Sequence, residues 1–334
     1  MKPFIHKKRL CLTTSPFAST RQLSYLLACT LGIIILFTQS VNAQKVDISC
    51  RPQFVTQMEL GYEGEVLNDT CKDPKSRFIT PQAALQEFTR ANVVYLGETH
   101  DNPEDHKIQL QIIQQLQQRN PKIAIALEMF QHPYQGILNS YLAGKLSEQE
   151  LLKQSEYNQR WGFPWEYYAP ILRFAKAKKL PVLALNTPAQ ITRQVASAGL
   201  ESLTPKQRRL IPPLSEIRTD NAEYRQLLAK IFQQHQHSGH GNSADFERFF
   251  QAQVLWDETM AARIAQFLKA NPNHRVVVLA GKGHIIYGYG IPSRVERRIK
   301  NKQIVQYSVL LSPAKDEPVD ANKPIADFVW QNVN

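Results

Sequence analysis

The chain has 334 residues, 43% hydrophobic and 21% charged, ordinary values for a globular protein able to bury a large core. Its formal net charge of +11 overstates its basicity, because residues 1–43 hold five cations (Lys2, Lys7, Lys8, Arg9, Arg21) and no acid, leaving 35 cations against 29 acids. No long Lys/Arg run interleaves with aromatics, so the composition argues against nucleic acid as a partner.

Residues 1–43 have the order of a secretory signal peptide. A basic stretch comes first, then an apolar run from Tyr25 to Phe37, then Val41-Asn42-Ala43 with small residues suited to cleavage. The run of ~13 residues is short for a bilayer span of about 20. Cleavage after Ala43 places the protein in an extracytoplasmic space, the periplasm or the outer face of a membrane. An uncleaved anchor and lipidation at Cys29, within Leu26-Leu27-Ala28-Cys29, are the alternatives, and either adds peripheral membrane association. Most of the apolar run follows Cys29, which argues against lipidation. Cys50 and Cys71 remain after cleavage, an even pair suited to an oxidising compartment. A disulfide between them would close a loop of ~20 residues and contribute about 3 kcal/mol by chain entropy; two free thiols are the alternative.

Residues 44–80 are polar and weakly periodic and read as an N-terminal extension. A different pattern fills 81–312. Short, continuously apolar runs end at chemistry-bearing residues: 91–96 before Gly97, 123–127 before Glu128, 181–185 before Asn186 and 275–280 before Gly281, with a fifth over 304–311. Such runs predict strands covered on both faces. Helical patterns over 104–119, 164–179, 187–198 and 244–269 separate them. The alternation predicts an α/β domain with a mainly parallel central sheet flanked by helices. Residues 134–163 and 199–243 predict an additional helical lobe, and 313–334 read as a C-terminal tail.

Ligands of open α/β sheets bind beyond the carboxyl ends of the strands. Here those ends read Gly97-Glu98-Thr99-His100 and Gly281-Lys282-Gly283-His284, with Glu128 and Asn186 closing two others. Glycine permits a sharp turn, and the imidazole three residues on can fold back over the sheet edge. Glu98, His100, Glu128 and His284 are therefore candidates to hold a divalent metal or to form an acid–base set around a water. Both uses need neutral imidazoles. Tyr287 and Tyr289 lie close by; a phenolate can ligate ferric haem, and Lys282 or Arg294 can pair with a propionate. Asp257 interrupts the apolar stripe of the long helix as a candidate buried partner of the site. Arg160-Trp161-Gly162-Phe163-Pro164-Trp165 offers core packing or an apolar wall for a flat ligand. His235-x-His237-x-x-His240 is a weak transition-metal candidate in a polar loop.

Several of these motifs occur together in a known order. Leu96-Gly97-Glu98-Thr99-His100-Asp101 with His106 and Gln109, Ala126-Leu127-Glu128-Met129-Phe130, Ala184-Leu185-Asn186-x-Pro188, Ala252-Gln253-x-Leu255-Trp256-Asp257, and Gly281-x-Gly283-His284-x-x-Tyr287-Gly288-x-Gly290-Ile291-Pro292 resemble the ChaN-like haem-binding uptake proteins. The likeness runs from about residue 80 to 311. One departure is that Glu104-Asp105-His106-Lys107 supplies a single His where the opening motif often carries two. The resemblance implies an exported, iron-linked protein that binds haem in a pocket shared by two subunits, hence a homodimer, with a Tyr on the iron. Tyr287 and Tyr289 are the candidates by position, with His100, His106 and His284 beside them. The wider superfamily is similar to Tiki proteases and erythromycin esterases, which implies the alternative of a hydrolase using Glu98, His100, Glu128 and His284.

Overall fold

A computed structural model describes residues 51, 53–55, 78–237, 246–299, 304–313 and 323–331. The signal segment, Cys50, Cys71 and His240 lie outside the described residues, as do the side chains of His235 and His237. No helix among the described residues is long and apolar enough to cross a membrane.

Eight strands form one sheet: β1 (Gln53–Val55), β2 (Phe78–Ile79), β3 (Val93–Glu98), β4 (Ile123–Gln131), β5 (Val182–Asn186), β6 (Arg275–Gly281), β7 (Gln306–Leu311) and β8 (Phe328–Trp330). Their order is β2-β1-β8-β7-β3-β6-β4-β5, and every pairing is parallel. The five apolar runs are β3 to β7. The stretches read as an extension and a tail supply three short strands, β1, β2 and β8, to the same sheet.

Eleven α-helices occur among the described residues. The first six are α1 (Pro81–Phe88), α2 (Pro103–Arg119), α3 (Gln135–Leu142), α4 (Glu148–Gln154), α5 (Tyr157–Arg160) and α6 (Trp165–Lys178). The rest are α7 (Ala189–Ala198), α8 (Pro205–Arg208), α9 (Ala222–His237), α10 (Phe246–Ala270) and α11 (Ile291–Ile299). The strands bury both faces, as their continuous hydrophobicity requires. Val94, Leu96, Val277 and Leu279 point into a core shared with α1 to α6. The alternate residues Val93, Tyr95, Val276 and Val278 meet Met260 and Ile264 of α10 and Val295 of α11. Helices α3 to α5, expected in a lobe, join the first core through Leu138, Tyr141, Leu151 and Tyr157. The 199–237 region builds a separate cluster with Phe250, Val254 and Leu255 of α10 and residues 325–329.

Two local devices matter for the site. Asn102 caps α2 by accepting the Glu104 N–H at 3.1 Å, with Pro103 at the first helical position, a combination that suits a helix start. At the sheet edge, the Gln135 side chain donates to the Val182 carbonyl and accepts from the Ala184 N–H, each at 2.8 Å. It thereby covers backbone groups of β5 that would otherwise offer a pairing template.

Candidate functional site

Parallel pairing collects the carboxyl ends of the strands on one side. Three adjacent strands matter most. Glu98 ends β3, Gly281 ends β6 in register with it, and Glu128 on β4 directly follows Leu127, which pairs with Leu279 of β6. The middle position carries no side chain. A Cβ on Gly281 would lie 2.8 Å from His100 Nε2, 2.9 Å from its Cε1 and 3.7 Å from Glu128 Oε2. Its φ is −55°, so space rather than backbone conformation demands glycine. The bare backbone lets the His100 ring cross β6 from the β3 side towards Glu128. Gly281→Ala is therefore expected to displace the His100 ring while the sheet stays intact. A crystal structure of the variant checks this, and an unmoved ring would contradict it.

Each imidazole is held from behind by a carboxylate. His100 Nδ1 lies 2.8 Å from Glu98 Oε1, and that oxygen also accepts the Tyr168 hydroxyl at 2.7 Å. Glu98 Oε2 accepts the Gln109 amide at 2.6 Å. On the other side His284 Nδ1 lies 2.7 Å from Asp257 Oδ1, and Asp257 Oδ2 accepts the Tyr224 hydroxyl at 2.7 Å. His284 Nε2 then faces Glu128 Oε1 at 3.5 Å, while the Gly281 N–H donates to Glu128 Oε2 at 2.7 Å. Two Tyr–carboxylate–imidazole relays thus converge on one central carboxylate.

The charge states follow from this packing. Burial by itself disfavours the His284 cation, but the Glu128 charge and the Asp257 hydrogen bond outweigh it and raise the pKa from 6.5 to about 10. Burial likewise disfavours the Glu128 anion, yet His284 and His100 and the Gly281 N–H lower it from 4.5 to about 2. For His100 burial lowers the pKa, the Glu98 hydrogen bond and the Glu128 charge raise it, and the net shift is upward. Opposite charge and hydrogen bonding therefore beat desolvation at all three groups. The neutral imidazoles that the metal and general-base uses both need are disfavoured by the carboxylate placed at each Nδ1.

Among the described residues no group of three or more His, Cys, Asp or Glu is arranged to hold a metal ion. The oxygens of Glu98 and Asp257 accept hydrogen bonds within the relays instead of turning to a common centre.

His106 is buried, with Nε2 3.0 Å from the His100 carbonyl and Nδ1 3.2 Å from Gln109 Oε1, so it braces the turn. Asp105 braces it as well, accepting the Thr99 N–H at 2.8 Å. Arg294, expected to meet an acidic ligand group, is 5% exposed. It donates to the carbonyls of Tyr289 and Gly290 and pairs with Glu258 at 3.3 Å, which ties the loop after His284 to α10. Lys282 is half-buried beside Gly281. Tyr287 and Tyr289 are 6% and 5% exposed and stack on each other 5.5 Å apart, within the cluster that includes Ile325 and Val329. The Tyr287 N–H donates to the Ile325 carbonyl at 2.7 Å, and its φ is +55°. Tyr287 also lines a cavity of about 400 Å³ with Arg51, Tyr95, Gln306 and Lys323.

The aromatic cluster approaches the site directly. Trp161 and Phe163 each lie 4.9 Å from the His100 ring. Asn186 accepts the N–H of Thr187, a local turn contact. Tyr168 and Tyr224 escaped the sequence reading. Tyr168 lay just beyond a noticed aromatic run, whereas nothing in the residues around Tyr224 marks it.

Comparison with known proteins adds the relationships. A family model described as "Haem-binding uptake, Tiki superfamily, ChaN" matches residues 84–295, more than half of the chain. Among solved structures, the chain is similar to one of cofacial haem binding to ChaN of Campylobacter jejuni, with a TM-score of 0.56 and 20% identity, covering 75% of this chain and 91% of that one. At that identity the likeness concerns the fold. The chain is also 28% identical over 291 residues to the Arabidopsis thaliana protein RETICULATA-RELATED 5, chloroplastic. That match covers 80% of this chain and 37% of the plant protein, so the chain spans little more than a third of its relative's length. By its match to the family model, the chain belongs to the ChaN haem-binding uptake family of the Tiki superfamily.

Proposed function

We propose that this protein binds ferric haem in an extracytoplasmic space and serves haem or iron uptake. The observation that carries the reading is the family match over 84–295, a span that contains both relays and the aromatic residues above them. The residues fit a porphyrin. Half-exposed Trp161, Phe163 and Trp256 offer flat apolar contact around the strand ends, and phenols supply the hard oxygen that ferric iron prefers. When bound, haem supplies the iron centre; the chain's task is to hold its plane and its axial face. Titration of the purified protein with ferric haem tests the reading. A saturable Soret shift with quenching of tryptophan fluorescence is expected, and an unchanged spectrum of free haem at stoichiometric protein would refute it.

The basic-then-apolar order of residues 1–43 supports export. We expect cleavage after Ala43, read by intact mass of the protein recovered outside the cytoplasm. Retention of residues 1–43, or a lipid on Cys29, would show another fate.

The paired relays favour acid–base hydrolysis as a second reading. Against it stands the charge on His284, since an imidazole acting as a general base must be neutral, and the raised pKa of both imidazoles, to about 10 at His284, favours the charged form. Ester and peptide hydrolysis by the parent protein, abolished in both His100→Ala and His284→Ala, would reverse this ranking.

A further inference from the structure

Six rings form one connected row beside the strand ends. Trp161 and Phe163 flank His100, each 4.9 Å away. Tyr167 stacks on His106 at 5.0 Å with an interplanar angle of 18°, and Tyr168 meets the same imidazole edge-on at 4.6 Å. Trp161 lies 6.3 Å from Tyr168, which joins the two halves of the row. His106 and Tyr168 are buried, while His100, Trp161, Phe163 and Tyr167 are half-exposed. The buried pair therefore backs an outer shelf of four rings, built from the turn after β3 and the chain entering α6.

Hydroxyl partners and exposure together single out one phenol among the described residues. Tyr168 donates to Glu98, Tyr224 to Asp257, Tyr95 to Gln306, Tyr134 to Glu156 and Tyr157 to the Phe163 carbonyl. Tyr141, Tyr287, Tyr289 and Tyr307 are buried, and Tyr287 and Tyr289 stack together. The Tyr167 hydroxyl makes no hydrogen bond among the described residues, although its N–H donates to the Pro164 carbonyl at 3.2 Å, and its ring stands half-exposed on the shelf. The stack on His106 fixes the ring plane, so the oxygen is held in place without being engaged.

We propose that Tyr167 is the phenol that ligates ferric haem and that Trp161 and Phe163 support the porphyrin plane. This rests on the haem reading above and moves the iron from Tyr287 and Tyr289 to the strand-end shelf. A flat, largely apolar ligand gains contact area from rings already fixed by packing, at little conformational cost. Tyr167 would hold the iron through its phenolate oxygen in exchange for a water on the iron, releasing the phenol proton to solvent. The iron stays ferric throughout.

The test titrates purified wild-type protein, Tyr167→Phe, Trp161→Leu and the double variant Tyr287→Phe/Tyr289→Phe with ferric haem, reading affinity and the iron–phenolate bands in resonance Raman. Circular dichroism of each variant checks the fold, which Tyr167→Phe should leave unchanged because it removes an unengaged hydroxyl. We expect Tyr167→Phe to lose the phenolate bands and at least tenfold in affinity. Trp161→Leu should weaken binding while keeping the bands, and the double variant should keep both. Phenolate bands that survive in Tyr167→Phe, or vanish in a folded double variant, would overturn the shelf assignment while leaving haem binding in place. A wild-type protein that binds no haem would overturn both readings.

Discussion

Replacing Asp257 by Ala is expected to destabilise the protein by about 3–5 kcal/mol, the range for breaking a buried charged pair by removing one partner. Asp257 is fully buried on α10, and it accepts from Tyr224 and meets His284 Nδ1, both at 2.7 Å. Truncation strands the imidazolium beside Glu128 with nothing behind it and leaves the Tyr224 hydroxyl unpaired. Asp257→Asn keeps an oxygen for one of the two donors and should lose less. Tyr224→Phe removes a single hydrogen bond and should lose about 1 kcal/mol. Denaturant unfolding of the three variants gives the order Ala, Asn, then Tyr224→Phe. A loss below about 1 kcal/mol for Asp257→Ala would mean that the His284 arm is not held as a buried ion pair.

Stability should also fall on both sides of a mildly acidic plateau. Glu128 has a folded pKa of about 2, below its ordinary 4.5. Its contribution is present above pH 4.5 and is lost as pH drops towards 2. His284 has a folded pKa of about 10, above its ordinary 6.5. Its contribution is complete below pH 6.5 and is lost as pH rises towards 10. The two shifts largely describe one shared interaction, so each limb reports the same pair from its own side. Many other groups titrate above pH 9, and His284→Gln isolates the effect. The wild-type denaturation midpoint should drop between pH 6 and pH 9.5 by clearly more than that of the variant. Parallel pH profiles for the two proteins would contradict a raised His284 pKa.

The legible parts of the fold were those whose physics is local. The runs that became β3 to β7 are covered on both faces, so their hydrophobicity is continuous and they stand out without any partner being known. β1, β2 and β8 contain only two or three residues each, too few to show a period, and their pairing depends on contacts distant in sequence. At the site, Glu98, Glu128 and the two Gly-x-x-His turns were legible because they punctuate apolar runs, and Asp257 because it breaks an apolar stripe. The convergence of Glu98, Gly281 and Glu128 depends on β6 lying between β3 and β4, a strand order that no run announces. Tyr168 and Tyr224 act only through hydroxyls docked by that order. The protonation of the imidazoles was not legible for the same reason, since it depends on which carboxylate reaches each Nδ1. Arg294 looked available beside the loop, but α10 brings Glu258 against it.

Charge state is what separates a binding site braced by ion pairs from a general-base enzyme built on the same residues. Nitrogen-15 NMR of the histidine rings, followed from pH 5 to pH 10 with His100→Ala and His284→Ala for assignment, reads it directly. His284 is expected to keep both ring nitrogens protonated at pH 8, in line with a pKa of about 10, and His100 to titrate above 6.5. A neutral His284, or a His100 that deprotonates below 6.5, would contradict the account and restore the base that hydrolysis requires.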